Sequence, residues 1–228
     1  MLFRSQRGIR RIDEVFLSHA DLDHFNGLPA LLDRFAIGQV SCSPTFADKK
    51  APGVEETLRM LEKHRVPLRT VWAEDRLTAG GVDIEVLHPP EHGTEQSENA
   101  RCLVLRIRHA GHTVLLTGDL DAEGRQRVLS LPSEPLDVLM APHHGSRTAN
   151  PPELAAWARP RFVVSSQGPP RSIVAKPEPY TPLGARYLDT WTHGAITVRS
   201  HATGLIVETF RSGERWVLRG GGEEVPQP

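Results

Sequence analysis

Along the chain, the spacing of apolar and polar residues switches repeatedly between an extended and a helical period. Ile12–Leu17, apolar at 12, 15, 16 and 17, predicts a short strand running into the polar cluster Ser18-His19-Ala20-Asp21-Leu22-Asp23-His24. Leu28, Leu31, Leu32 and Phe35 have helical spacing with Gly38 as a stop signal, and Val54, Leu58 and Leu61 form one face of a helix over Val54–His64. Strands are predicted at Leu68–Trp72, Val82–Leu87, Cys102–Arg108 and Thr113–Leu116, the last two as a hairpin through Ala110-Gly111. A helix over Ala122–Leu129 with Asp121 as N-cap follows, then a buried strand at Leu136–Met140, a helix over Glu153–Ala158 and a strand at Arg161–Ser165. Pro169–Pro182 reads as irregular, Leu183–Thr190 as a helix, and Ala195–Arg199, Leu205–Phe210 and Arg215–Leu218 as strands. Such alternation, with hairpins and no internal repeat, predicts α/β layers around a mixed sheet. The 228 residues suit one large domain, expected over 1–219, with 220–228 as a disordered tail.

Composition narrows the class. With 39% hydrophobic and 24% charged residues the chain is globular, and no apolar run approaches the roughly 20 residues of a membrane span. The basic start Met1–Ile12 has no apolar core behind it, so it does not read as a secretory signal. The expectation is a soluble, cytoplasmic chain that meets a membrane only through partners. Two cysteines, Cys42 and Cys102, are too few for a disulfide framework or a Cys-rich zinc site and read as buried thiols. A net charge of −1 supplies no bulk attraction to nucleic acid.

The candidate chemistry lies where strands end. His19-x-Asp21-x-Asp23-His24 puts four imidazole and carboxylate groups on a strand-to-helix loop, a mixed donor set that suits zinc, manganese or iron. On this segment alone, a helix start capped by Asp21 and Asp23 remains an alternative. Thr117-Gly118-Asp119 and Pro142-His143-His144-Gly145-Ser146 also follow predicted strands. Strand C-terminal ends share one side of a sheet, so the three clusters together predict a site for one or two divalent ions, zinc or manganese. His143 and His144 are adjacent, so their side chains are expected to diverge and only one to reach the metals, with Gly145 permitting the turn.

Ser18-His-Ala-Asp-Leu-Asp-His-Phe-Asn-Gly27 resembles the metal-binding signature of the metallo-β-lactamase fold. Combined with Leu116-Thr-Gly-Asp-Leu120 and Ala141-Pro-His-His-Gly-Ser146, it resembles the C-terminal hydrolase domain of ComEC-type competence proteins, which import DNA. Asn99–Ile107, Arg161–Ser166 and Ala195–Val198 are similar to further strands of that family, and the likeness covers roughly Ile12–Phe210. The resemblance implies an αββα sandwich with mixed sheets. It also implies His19 and Asp21 in a first metal site, Asp23 and His24 in a second, Asp119 bridging, and His143 and His144 as rim ligands or phosphate contacts. Catalysis would rest on Asp23, Asp119 and His144. The implied activity is metal-dependent phosphodiester hydrolysis, on single-stranded DNA during uptake, with a membrane channel protein or the rest of a longer chain as partner. A degenerate domain that binds nucleic acid or a partner is the alternative, and hydrolysis of another ester, thioester or lactam is a third reading.

Three departures accompany the likeness. Few residues precede His19, so N-terminal strands are expected to be missing or truncated. No histidine stands in Glu178–Pro182, where relatives have Gly-His-Pro, and Cys102 replaces a usual serine. His64, His88, His109, His112, His193 and His201 read as surface or structural, with His92, in the loop before Asn99, the one singled out. Arg4, Arg7, Arg10 and Arg11 read as a solvated terminus, and Trp72, Trp157, Trp191 and Trp216 as core or rim residues.

Overall fold

In the computed structural model, β1 (Arg11–Leu17) passes through two short helices, α1 (Leu22–Phe25) and α2 (Leu28–Leu32), into β2 (Ala36–Cys42), which runs parallel to it. After α3 (Pro52–Lys63), β3 (Leu68–Thr70) completes a small sheet in the order β1-β2-β3. The structure describes residues 8–92, 97–169, 178–219 and 224–225.

A seven-stranded sheet comes next, built from β4 (Arg76–Ala79), β5 (Val82–His88), β6 (Val104–His109), β7 (His112–Leu116), β8 (Val138–Met140), β9 (Phe162–Ser165) and β10 (Arg186–Asp189). It is antiparallel from β4 to β7 and parallel from β7 to β10. The strands β11 (Ile196–His201), β12 (Gly204–Thr209), β13 (Arg215–Leu218) and β14 (Glu224–Val225) form an antiparallel sheet.

The two-residue alternation of the strands sets the layers. Val114, Val138, Phe162 and Val164 pack with Leu205, Val207 and Leu218 of the four-stranded sheet. Their neighbours Leu115, Leu139 and Val163 face the opposite way, onto α4 (Ala122–Leu129) and α5 (Pro152–Ala158). At the other end, Val86, Leu103 and Leu105 pack against Phe16 and Val71 beside the small sheet. The far face of that sheet, with Leu17, Val40 and Cys42, is covered by Phe25, Leu28, Val54 and Leu61. The result is helix, sheet, sheet, helix. Each fully buried Val, Leu or Phe contributes about 1.5–3 kcal/mol, so central strands with two apolar faces favour being covered on both.

Several elements differ from the sequence expectation. Leu183–Thr190 is not a helix: a 3-10 turn (Thr181–Leu183) ends at Gly184, β10 pairs in parallel with β9, and a short helix, α6 (Thr190–His193), follows. Pairing with β9 and burial of Leu188 override the helical spacing. The region around Gly38, read as a helix stop, is strand β2. A Cβ at Gly38 would lie 2.5 Å from the Asp13 carbonyl oxygen, so glycine lets the two backbones approach. Asp121 occupies the N-cap of α4, but its carboxylate accepts from Ser97 Oγ rather than capping. In the segment expected to be a disordered tail, Glu224–Val225 pairs with β13. Among the described residues the stretch before His19 supplies one strand, β1, at an edge of the small sheet. Arg4 and Arg7, residues 170–177 of the proline-rich stretch, and the remainder of 220–228 lie outside the described residues. Cys42 and Cys102 are buried free thiols, and burial pushes the Cys42 thiol up to about 12. No helix among the described residues is long and apolar enough to cross a membrane.

Candidate metal centre

β1, β7 and β8 end on the same side of the sandwich, and backbone bonds tie the loops that follow them. Leu103 N donates to Ser18 O at 2.7 Å across the two sheets, and His143 N donates to Gly118 O at 3.1 Å. All seven residues expected at the site therefore meet. His19 is fully buried and Asp119 nearly so, while the Asp23 side chain is 68% exposed. The cluster has a closed floor and an open mouth.

His24 Nε2 lies 3.3 Å from Asp119 Oδ1 and 3.6 Å from Asp23 Oδ2. His144 Nε2 lies 3.6 Å from the same Asp23 oxygen and 3.8 Å from Asp119 Oδ1. His143 Nε2 reaches the other Asp119 oxygen at 3.8 Å. Asp21 is divided: Oδ2 is 3.5 Å from His19 Nε2, whereas Oδ1 accepts from Lys49 Nζ at 2.9 Å. That ammonium also donates to Ala20 O at 2.6 Å. Lys49, in the loop between β2 and α3, carried no signal in the sequence pattern. Ser18 was part of the motif, yet its function emerges only here. Its hydroxyl oxygen lies 3.0 Å from His19 Nδ1 and 3.2 Å from His24 Nδ1, so one oxygen serves both rings.

The histidine pair departs from expectation. Both rings approach Asp119, because His143 (φ 50, ψ 53) and His144 (φ 54, ψ 32) adopt left-handed conformations and Gly145 follows at φ 76. A left-handed turn gathers successive side chains, where an extended segment would point them apart. Such conformations cost on the order of 1–3 kcal/mol per non-glycine residue and persist where the surroundings hold them. Asn150 does so here: its side-chain nitrogen donates to Pro142 O at 2.9 Å and Ser146 O at 2.7 Å. A Cβ on Gly145 would lie 2.5 Å from the Tyr187 hydroxyl and 2.6 Å from Ser165 Oγ, so only glycine fits. His144 Nδ1 is 2.9 Å from Ser166 O. A carbonyl can only accept, so Nδ1 carries the proton and Nε2 the lone pair. The amide nitrogen of Asn99 lies 3.4 Å from His143 Nδ1 and can only donate, which places the His143 proton on Nε2.

Electrostatics follow from this packing. Burial, and then the neighbouring His24, push His19 down to about 4, so it is neutral near pH 7. The adjoining Asp119 carboxylate raises His24 against the opposing effect of burial. Burial would raise Asp119, but His24, His144 and His143 outweigh it and hold the carboxyl below the ordinary aspartate value.

The donor set fits a divalent ion. The Nε2 atoms of His19 and His24 are buried and satisfied by no hydrogen bond of good geometry, a costly condition for polar nitrogens in a protein interior. Ligand atoms of His19, His24 and Asp119 lie within 4.8 Å of one another, as do those of Asp23, His24 and His144. Nitrogen and carboxylate oxygen in such numbers suit a divalent first-row metal. His92 is exposed, whereas His88 is buried and lies 2.7 Å from Ala100 O.

Comparison with known proteins agrees with the geometry. A sequence profile of the family described as Metallo-beta-lactamase superfamily matches residues 1–154. ComE operon protein 3 of Bacillus subtilis is 30% identical over 167 residues, 73% of this chain and 21% of that protein. Competence protein ComA of Neisseria gonorrhoeae is 31% identical over 163 residues, 71% of this chain and 21% of that protein. The chain thus spans about a fifth of the length of these curated relatives. Among solved structures, the metallo-beta-lactamase fold protein YhfI from Bacillus subtilis superposes with a TM-score of 0.53 at 14% identity, over 90% of this chain and 78% of that one.

Proposed function

The chain belongs to the metallo-beta-lactamase superfamily, and from that premise we propose that it is a divalent-metal-dependent phosphodiesterase that cuts DNA strands in a competence-type uptake system. The observation that carries the reading is the pair of buried, unsatisfied Nε2 atoms of His19 and His24 beside Asp119, at the mouth of which Asp23 and His144 stand open. His19 and Asp21 would hold one ion of zinc or manganese, and Asp23, His24 and His144 a second, with Asp119 between them. When bound, the ions supply Lewis-acid activation of water and neutralise charge on phosphoryl oxygens.

The chain's own residues account for the water's proton and for the charge on the leaving oxygen. Attack by water forms one phosphorus–oxygen bond as the strand oxygen leaves. Asp23, the most open carboxylate of the motif, accepts the water's proton and passes it to solvent. His143 Nε2–H donates a hydrogen bond to the negative charge that develops on the departing oxygen, which is protonated from the same solvent. Asp119 Oδ2 faces the Nε2–H of His143, and His144 is held for ligation by Ser166 O. The names of the relatives, a ComE operon protein and a competence protein, support DNA as the substrate.

The test is cleavage of single-stranded DNA and of bis-p-nitrophenyl phosphate by chelator-treated protein resupplied with manganese or zinc. Turnover with either metal, abolished by Asp119→Ala, is the expected result. A folded chain that cleaves neither substrate with any divalent ion, yet binds the oligonucleotide, would replace the enzyme with a nucleic-acid-binding module.

A further inference from the structure

Beside the cluster opens a cleft of about 820 Å³, lined by His143 and His144 on one side and by Ser166 and Gln167 on the other, with Arg147 at its edge. Among the described residues its lining contains no carboxylate, in contrast to the acidic cluster it adjoins. Arg147 is exposed, and among the described residues its guanidinium has no hydrogen-bond or ion-pair partner.

The loop that carries it is nevertheless fixed. Arg125 Nη1 donates to Thr148 O at 2.9 Å, the Ser146 and Thr148 hydroxyls lie 3.1 Å apart, and Asn150 Nδ2 donates to Ser146 O at 2.7 Å. Asn150 is buried, and the same side chain secures the His143–Gly145 turn. A guanidinium without a protein partner, carried on a backbone held in this way, is available as a fork for an oxyanion, and phosphate matches its planar donors. Because the loop continues directly from the turn bearing His143 and His144, the anion it meets lies along the same strand as the bond at the metals.

We propose that this cleft seats the single-stranded DNA that flanks the scissile bond, with Arg147 gripping a neighbouring phosphate that is not cleaved. The inference rests on the phosphodiesterase reading of the adjoining cluster. It makes Arg147 a determinant of strand over small-diester preference.

The decisive comparison is wild type against Arg147→Gln, both checked for unchanged thermal unfolding. Binding of a fluorescein-labelled 12-nucleotide thymidine oligomer is followed by anisotropy in chelator across a range of potassium chloride, beside steady-state cleavage with manganese. The variant should bind the oligomer at least fivefold more weakly, with a log–log salt slope shallower by about 0.7, the contribution of one phosphate contact on a single strand. Its preference for the oligomer over bis-p-nitrophenyl phosphate, as a ratio of kcat/KM, should fall at least fivefold through KM. Equal affinity and slope in the two proteins, or no oligomer binding by wild type, would overturn the proposal, even where the small diester is cleaved and the hydrolase reading stands. Weakened binding in a chain that cleaves nothing would overturn the hydrolase reading and leave the groove.

Discussion

The Tyr180 hydroxyl donates to Asn150 Oδ1 at 2.7 Å, with both residues buried, and joins the segment after the proline-rich stretch to the turn that presents His143 and His144. Asn150 spends its nitrogen on Pro142 O and Ser146 O, so its oxygen is free for one donor, and Tyr180 is that donor. Burial pushes the Tyr180 phenol far above its ordinary value, which keeps it protonated and donating at any physiological pH. Tyr180 also lies in Glu178–Pro182, the stretch expected to lack a metal-binding histidine. What stands there supports the histidine turn from beneath.

Tyr180→Phe should therefore leave a buried acceptor unsatisfied, at a cost of about 1–3 kcal/mol. For a chain of this size that lowers Tm by roughly 2–12 °C. Asn150→Ala should cost more, since two carbonyls and the phenol lose their partner. Differential scanning calorimetry reads both, and a Tyr180→Phe protein as stable as wild type would contradict the support assigned to this bond.

A second expectation concerns Ser18. Its oxygen accepts from Nδ1 of both His19 and His24 when their Nε2 atoms carry lone pairs toward an ion. Ser18→Ala removes that shared acceptor without touching a ligand. Outer partners of this type are worth about 10–100-fold in metal affinity. Competition with a chromophoric chelator should show a loss of that size with little change in thermal unfolding, and unchanged affinity would mean that the hydroxyl does not set the tautomers.

The parts of this site that were legible in the sequence are those where chemistry is local. His19, Asp21, Asp23 and His24 share six positions after a strand whose pattern is plain, and Asp119 and His143–His144 also follow apolar strands. Contacts closed by the fold left no local trace. Lys49 reaches Asp21 from 28 residues away, and Tyr180 reaches Asn150 from 30. The left-handed pair at His143 and His144 was hidden because nothing but glycine announces positive φ, and only Gly145 did so. Leu183–Thr190 misled for the opposite reason: its spacing is locally helical, while β9 offers an edge that its backbone pairs with.

Away from the site, Glu85 should govern part of the acid stability. Burial would raise its carboxyl, but the Arg108 hydrogen bond and the charges of Arg106, Arg108 and Arg76 outweigh this and hold it below the ordinary glutamate value. A depressed folded value means that the stabilisation is full above the unfolded value near about 4.3 and is lost as pH falls through the folded one. Glu85→Gln should melt below wild type at pH 7, and the two Tm curves should converge below about pH 4. Parallel curves down to the acid limb would show that Glu85 gains nothing from its arginines.

The histidine pair should divide two losses between two residues. Ser166 O fixes the His144 proton on Nδ1, so its Nε2 lone pair faces Asp23 and Asp119 as a ligand would. Asn99 donates to His143 Nδ1, which leaves an N–H at Nε2 toward Asp119 Oδ2, suited to a departing oxygen. His144→Ala should thus lower metal content and turnover together. His143→Ala should keep its metal while turnover falls by about 10²–10³, the range for one hydrogen-bond donor to a developing oxyanion. That second deficit should shrink as the leaving group becomes more acidic, because a good leaving group carries its negative charge unaided, and a structural defect would not show this dependence. Elemental analysis with cleavage of aryl diesters of graded leaving-group acidity separates the cases. Metal lost from His143→Ala, or a deficit blind to the leaving group, would defeat the assignment of His143.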